Sequence, residues 1–180
     1  MAEMLSPNEA GHPGYEGYLN DRVASIAELM QQGGYHTLMA GKWHLGLTEE
    51  RSPAARGFDR SFALLQGLGN HFGADQNAAW AEVEQAKYRQ DRKEVRFPKG
   101  AYSTDLFADK LISFLGESAG TQKPFFAYLA FSAPHWPLQA PDEDVARYKG
   151  RYDSGFEVLR EQRLARMKTL GLIPRDVAAH

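Results

Sequence analysis

The chain has 180 residues, 43% of them hydrophobic and 24% charged, with a formal net charge of −2 and no cysteine. That length suits one domain able to bury roughly 70% of its unfolded surface, and the lack of cysteine excludes disulfides, thiolate nucleophiles and Cys-ligated metals within these residues. Lys and Arg are dispersed, so the sequence carries no nucleic-acid footprint, and the longest strongly apolar run, Phe125 to Phe131, is far shorter than the roughly 20 residues that cross a bilayer.

In chain order, Met1 to Ala10 lacks the basic-then-apolar order of a signal peptide, which leaves the compartment undecided. Asn20 to Gln32 is expected to be helical: Asn20 or Asp21 serves as N-cap, Val23, Ile26, Ala27 and Met30 recur at helical spacing, and Gly33-Gly34 stops the helix. Tyr35 to Ala40 then reads as a strand, followed by the turn Gly41 to Gly46. In an open α/β sheet the C-terminal ends of strands are where ligands bind. Residues 51–100, rich in glycine and polar side chains, form a long excursion in which Tyr88 to Phe97 is expected to make a hairpin around Asp91-Arg92.

A second helix-strand-loop unit begins at Ser103 or Thr104, either of which can cap a helix carrying Leu106, Phe107, Lys110, Leu111, Phe114 and Leu115 along one side. Phe125 to Phe131, short and apolar on both faces, has the pattern of a central parallel strand. It runs into the loop Ser132-Ala-Pro-His-Trp-Pro137. After Pro141 the chain turns helical again, with Phe156, Leu159, Leu164, Met167 and Leu170 along a stripe that ends before Gly171. Two units, each delivering a histidine to a strand end, indicate a layered α/β fold.

The chemistry-bearing stretch is "GYHTLMAGKWHLG", Gly34 to Gly46. A phosphate-binding P-loop requires a first glycine where His36 stands and a hydroxyl where Trp43 stands, so that reading fails. Zinc needs clustered ligands, and His44 and His135 have neither a helical His partner nor a cysteine to join them. Two readings remain. Lys42 as a point charge, with His44 and His135 as donors or proton shuttles, can serve an oxyanion. Alternatively Lys42 is solvated and both histidines pack beside Trp43 and Trp136.

The stretch "GGYHTLMAGKWHLG" resembles the second sequence signature of the type I sulfatases, members of the alkaline phosphatase superfamily. "PFFAYLAFSAPHWPLQAP" resembles the loop that carries that family's later active-site histidine, and "RYKGRYDSGFEVLREQRLARMKTLGLIP" is similar to the segment that follows in bacterial arylsulfatases. The resemblance implies an alkaline-phosphatase-like layered fold with a mixed, mostly parallel sheet flanked by helices. It implies a sulfate ester as ligand, with Lys42 on the sulfate oxygens, His44 beside the catalytic formylglycine, and His135 as sulfate binder and general acid at the ester oxygen. The implied cofactors are Ca2+ and formylglycine.

The family also needs an early aspartate pair, a later Asp-Asn and a C/S-x-P/A-x-R nucleophile motif. No Asp-Asp or Asp-Asn pair occurs, and the one formal hit, Ser52-Pro-Ala-Ala-Arg56, follows Gly-Lys-Trp-His instead of preceding it. It is read as a false match. Residues 1–180 are therefore expected to be an incomplete sulfatase catalytic domain, inactive alone, binding a tetrahedral anion, and partnered by the missing N- and C-terminal parts; no metal ligand is assigned. The alternatives are an active relative that uses complementing chains for the missing parts, a non-catalytic anion-binding or interaction module, and a phosphatase or phosphonate hydrolase of the same superfamily.

Overall fold

The computed structural model describes residues 11–73 and 86–178. Met1 to Ala10, whose sequence lacks signal-peptide order, and residues 74–85 of the excursion lie outside them. The chain divides into two compact units, Met1–Gln139 and Ala140–His180.

In the first unit the expected opening helix is shorter than its apolar spacing suggests. Helix α1 spans Ile26–Gln32, capped by Ser25 and not by Asn20 or Asp21. Ser25 Oγ accepts from the Glu28 N–H while the Glu28 carboxylate accepts from the Ser25 N–H, a reciprocal capping box. Asn20 is used differently: its side chain oxygen accepts from the Arg22 N–H, an Asx-type turn that competes with helix formation.

Strand β1 (His36–Lys42) follows, and β2 (Arg60–Leu64) pairs with it in parallel, Leu38 opposite Arg60 and Lys42 opposite Leu64. Strands β3 (Tyr88–Gln90) and β4 (Lys93–Val95) form a hairpin turning at Asp91-Arg92, where Asp91 takes a φ of 54°. β3 adds to β2 antiparallel. After helix α2 (Ser103–Ser118), strand β5 (Phe125–Ala130) pairs in parallel with the other side of β1. The sheet order is β4-β3-β2-β1-β5, a mixed five-stranded sheet.

Phe125 to Phe131 was expected to be a central strand; among the described residues β5 pairs with β1 alone and forms an edge, leaving Phe125 and Tyr128 exposed. Ser103 was expected to cap α2, but it is the helix's first residue; the cap position is Tyr102, and no side chain makes the cap bond. The Ser103 hydroxyl is engaged elsewhere, by His71.

The period-two alternation of β1 and β2 divides the core between the two faces of the sheet. Leu38, Ala40, Phe62 and Leu64 pack on one side with Tyr88 and with Phe107, Leu111 and Phe114 of α2. Met39, Ala63 and Leu65 pack on the other with Ala27 of α1, Trp43 and Phe58. Burying each large apolar side chain of α2 contributes about 1.5–3 kcal/mol, which makes tertiary packing the main support of that helix. Burial pushes the Tyr88 phenol up and keeps it neutral.

The second unit carries helices α3 (Asp142–Arg147) and α4 (Gly155–Thr169). On α4, Leu159, Leu164 and Met167 are half-buried, whereas Phe156 and Leu170 of the expected stripe are exposed.

Candidate anion site at the strand ends

The site residues stand at the C-terminal ends of parallel neighbours. Lys42 is the last residue of β1 and is half-buried. The backbone ladder continues past it: the Trp43 N–H donates to Leu64 O at 2.8 Å and the His44 N–H to Leu65 O at 3.1 Å. Trp43 is the anchor of this turn. Its ring is buried edge-on to Phe58, and its Nε1–H donates to Arg51 O at 2.8 Å. Alternation then puts Lys42 on the opposite face from Trp43. His44 has a left-handed backbone, φ 58°, an uncommon conformation for a residue with a Cβ. Its ring lies against Gly67, where an added Cβ would stand 2.6 Å from Nε2 and 2.9 Å from Nδ1.

His135 lies on the loop leaving β5. Gly41 pairs with Ala130 in the parallel register, so the β1 and β5 exits leave the same end of the sheet. Gly41 has φ 125°, and any Cβ there would collide with the Ala130 carbonyl. The His135 N–H donates to Ser132 O at 2.9 Å, and the Ala133-Pro134 and Trp136-Pro137 peptide bonds are cis. The His135 side chain is exposed and its Nδ1 lies 3.0 Å from Trp136 O. A carbonyl only accepts, so Nδ1 carries the hydrogen and, in the neutral ring, Nε2 carries the lone pair.

Sequence reasoning missed His71. It is buried, with Nδ1 2.7 Å from Ser103 Oγ and Nε2 3.2 Å from His135 O. The segment after β2 thereby touches both histidine loops, through Gly67 to His44 and through His71 to His135. A lone histidine between Asn70 and Phe72 offers no periodicity or motif that would have revealed this.

Ser52 is fully buried and its hydroxyl donates to Glu49 O at 2.7 Å, so it has no path to a substrate. Arg56, the other end of that formal motif, is buried against the Glu28 carboxylate, with Nε donating at 2.9 Å, and also donates to the carbonyls of Leu19, Asn20 and Val23. The Arg56 guanidinium holds the Glu28 carboxyl below its ordinary range. Among the described residues no three His, Asp or Glu side chains converge as a metal cluster. Asp59 is bound by the Thr37 N–H and Asp91 by the Ser61 N–H, next to the N-terminal ends of β1 and β2. The described residues thus do not fit the hard-oxygen calcium site implied by the resemblance.

The sequence model of the Sulfatase family matches residues 2–172. The chain belongs to the sulfatase family. This sulfatase chain is 51% identical over 172 residues to an uncharacterised sulfatase of Schizosaccharomyces pombe, covering 93% of the chain and 31% of the relative. It is 42% identical to an arylsulfatase of Klebsiella aerogenes, covering 92% of the chain and 36% of that protein. The chain thus spans about a third of the length of these curated relatives. Among solved structures it is similar to Ps i-CgsB in complex with k-i-k-neocarrahexaose, with TM-score 0.59 and 33% identity over 68% of this chain and 29% of that one. It is also similar to BT4656 in complex with its substrate D-glucosamine-2-N,6-O-disulfate, with TM-score 0.55 and 26% identity over 76% of this chain and 24% of that one. Family membership and the α/β sheet flanked by helices agree with the reading of the sequence. Among the described residues no helix is long and apolar enough to cross a membrane.

Proposed function

We propose that this chain carries the sulfate-contacting groups of a sulfatase that hydrolyses sulfate esters, an aryl sulfate going to a phenol and sulfate, with Lys42, His44 and His135 as its working side chains. The observation that carries the reading is the meeting of the β1 and β5 exits on one segment, His44 against Gly67 and the His135 loop on His71. Cleavage of the S–O bond spreads negative charge over the departing and sulfate oxygens, and preorganised donors stabilise it. Lys42 supplies a compact positive charge to the sulfate oxygens and His44 a ring nitrogen on the nucleophile's side. The Trp136 carbonyl, 3.0 Å from His135 Nδ1, can only accept, so this nitrogen carries a hydrogen. Its Nε2 is therefore the nitrogen that exchanges protons, and as imidazolium it gives Nε2–H to the ester oxygen as the S–O bond breaks.

The family's nucleophile and divalent cation, on this reading, come from polypeptide other than these 180 residues, because the sequence has no cysteine and Ser52 is sealed in the core. The chain by itself then binds a tetrahedral anion without turning an ester over. Titrating isotope-labelled protein with inorganic sulfate tests the site: resonances of Lys42, His44 and His135 shift together, and no response at these three would sink the assignment. Calcium-dependent release of a chromogenic phenol by the purified chain would overturn its inactivity. Co-expression with segments carrying C-x-P-S-R and Asp-Asn separates an enzyme part, which gains turnover, from an anion-binding module, which does not.

A further inference from the structure

We propose that His71 is a positioning residue for His135, and that it acts through the Nε2–H tautomer, which the His135 carbonyl requires and the Ser103 hydroxyl supports as donor to Nδ1. This inference rests on the reading of His135 as an anion-facing group.

His71 is 1% exposed and joins three segments that are distant in sequence. Its Nε2 lies 3.2 Å from the His135 carbonyl oxygen, which can only accept, so Nε2 carries a hydrogen. In the neutral ring Nδ1 is then an acceptor, and the Ser103 hydroxyl at 2.7 Å is the donor it faces. Ser103 grips the same residue a second time, its N–H donating to the His71 carbonyl at 2.8 Å. The first turn of α2 thus fixes both the backbone and the ring of His71, which explains why the Ser103 hydroxyl is not spent on capping. The far end of the His135 loop is held from the same place: the His71 N–H donates to Gln139 Oε1 at 2.9 Å, and Tyr102 Oη to Gln139 O at 3.4 Å.

The consequence concerns where an exposed side chain points. The His135 ring touches its own neighbour's carbonyl, so its direction follows the backbone of residues 135–136, and that backbone is pinned by His71. A buried imidazole with a set tautomer holds a loop at one distance, whereas a flexible donor permits several. In metal sites, outer partners that orient a histidine ligand change affinity or activity by about 10–100-fold when removed, and His71 orients His135 by the same logic.

The full chain is the test object, with inorganic sulfate as the probe. His71→Gln puts an amide N–H near the position of Nε2, while His71→Asn reaches only the position of Nδ1. The expected result is that His71→Asn weakens sulfate binding about tenfold and shifts the His135 ring and amide resonances, whereas His71→Gln restores most of both. Thermal midpoints of the two variants are measured alongside, because a purely structural role moves stability without separating them at His135. Unchanged His135 resonances in His71→Asn overturn the proposal. Should neither variant fold, Ser103→Ala removes only the hydroxyl that donates to Nδ1; the His71 ring is then expected to loosen on the His135 carbonyl and the His135 resonances to shift, and an unmoved His135 overturns the idea. If wild-type protein binds no sulfate while His71→Asn still moves His135, the anion-site reading fails and the positioning role stands.

Discussion

The ring of His44 occupies the space that a side chain on Gly67 would need. A Cβ on Gly67 would stand 2.6 Å from His44 Nε2, inside any contact distance real carbons adopt. Gly67→Ala must therefore displace the ring or the segment after β2. Overpacking of this sort costs about 1–3 kcal/mol. The expected outcome is a lower thermal midpoint together with shifted His44 ring resonances and weaker sulfate binding. Retained His44 resonances would show that the ring does not depend on this packing.

Gly41 makes a second close approach, this time between backbones. Its φ of 125° is unfavourable for any L side chain, and the Ala130 carbonyl stands where a Cβ would be. Gly41→Ala is expected to separate β1 from β5 at the end that carries both loops. Amide exchange at residues 40–42 and 129–131 measures this, and unchanged protection would contradict it.

Some of this architecture could be read directly from residues and some could not. Tyr35 to Ala40 and Phe125 to Phe131 announce themselves as strands because apolar runs bounded by glycine, proline and polar residues have few other uses. Strand β2 was hidden inside the excursion. Its Arg60-Ser-Phe-Ala-Leu64 sequence is short, and the burial of Ser61 depends on neighbours that only the folded sheet supplies. Lys42 and His44 were visible as chemistry next to a strand end. His71 was not, since its partners are 32 and 64 residues away and its meaning lies entirely in them. The boundary of α1 was missed for a related reason: Ser25 and Asn20 are both good caps, and what distinguishes them is Glu28, three residues beyond Ser25, answering the cap from within the helix.

The buried Arg56 predicts acid sensitivity. Its guanidinium lowers the Glu28 carboxyl below the ordinary value of 4.5. A carboxyl depressed in the folded state contributes stability that is fully present above its unfolded value and is lost as pH falls through the folded one. The midpoint of unfolding should therefore fall as the pH drops below about 4.5, and Glu28→Gln should flatten that dependence. Removing the partner instead, in Arg56→Ala, leaves the Leu19 and Val23 carbonyls without their donor and should cost about 1–3 kcal/mol. Equal acid profiles for wild type and Glu28→Gln would show that other carboxylates control the transition.

Ser52 offers a clean negative control for the site. Its hydroxyl serves Glu49 O inside the core, so Ser52→Ala should cost about 1 kcal/mol of stability and leave sulfate binding unchanged. Loss of sulfate binding at undiminished stability would return the Ser52-Pro-Ala-Ala-Arg56 motif to the functional site.

The last expectation concerns the edge at β5. Among the described residues this strand pairs only with β1, and its free side has apolar company: Phe125 is 58% exposed, Tyr128 47% and Phe131 44%. An unpaired edge presents backbone donors and acceptors that template further pairing, and proteins ordinarily blunt such edges with charge or cover. Here the strand residues Phe125 to Ala130 contain no charge at all. On the α1 side, Ile26 and Leu29 add exposed apolar surface from the helix. Patches of this composition mark surfaces that associate. The isolated chain should therefore self-associate with rising concentration in size-exclusion chromatography with light scattering, and unfold with a broad transition. Tyr128→Lys, which places a charge on the edge without touching the buried positions of β1, should shift the population toward monomer and raise soluble yield. Wild-type chain that stays monomeric across concentration and melts in one sharp transition would mean that the 180 residues satisfy their own edge, and that β5 is no weaker than the strands beside it.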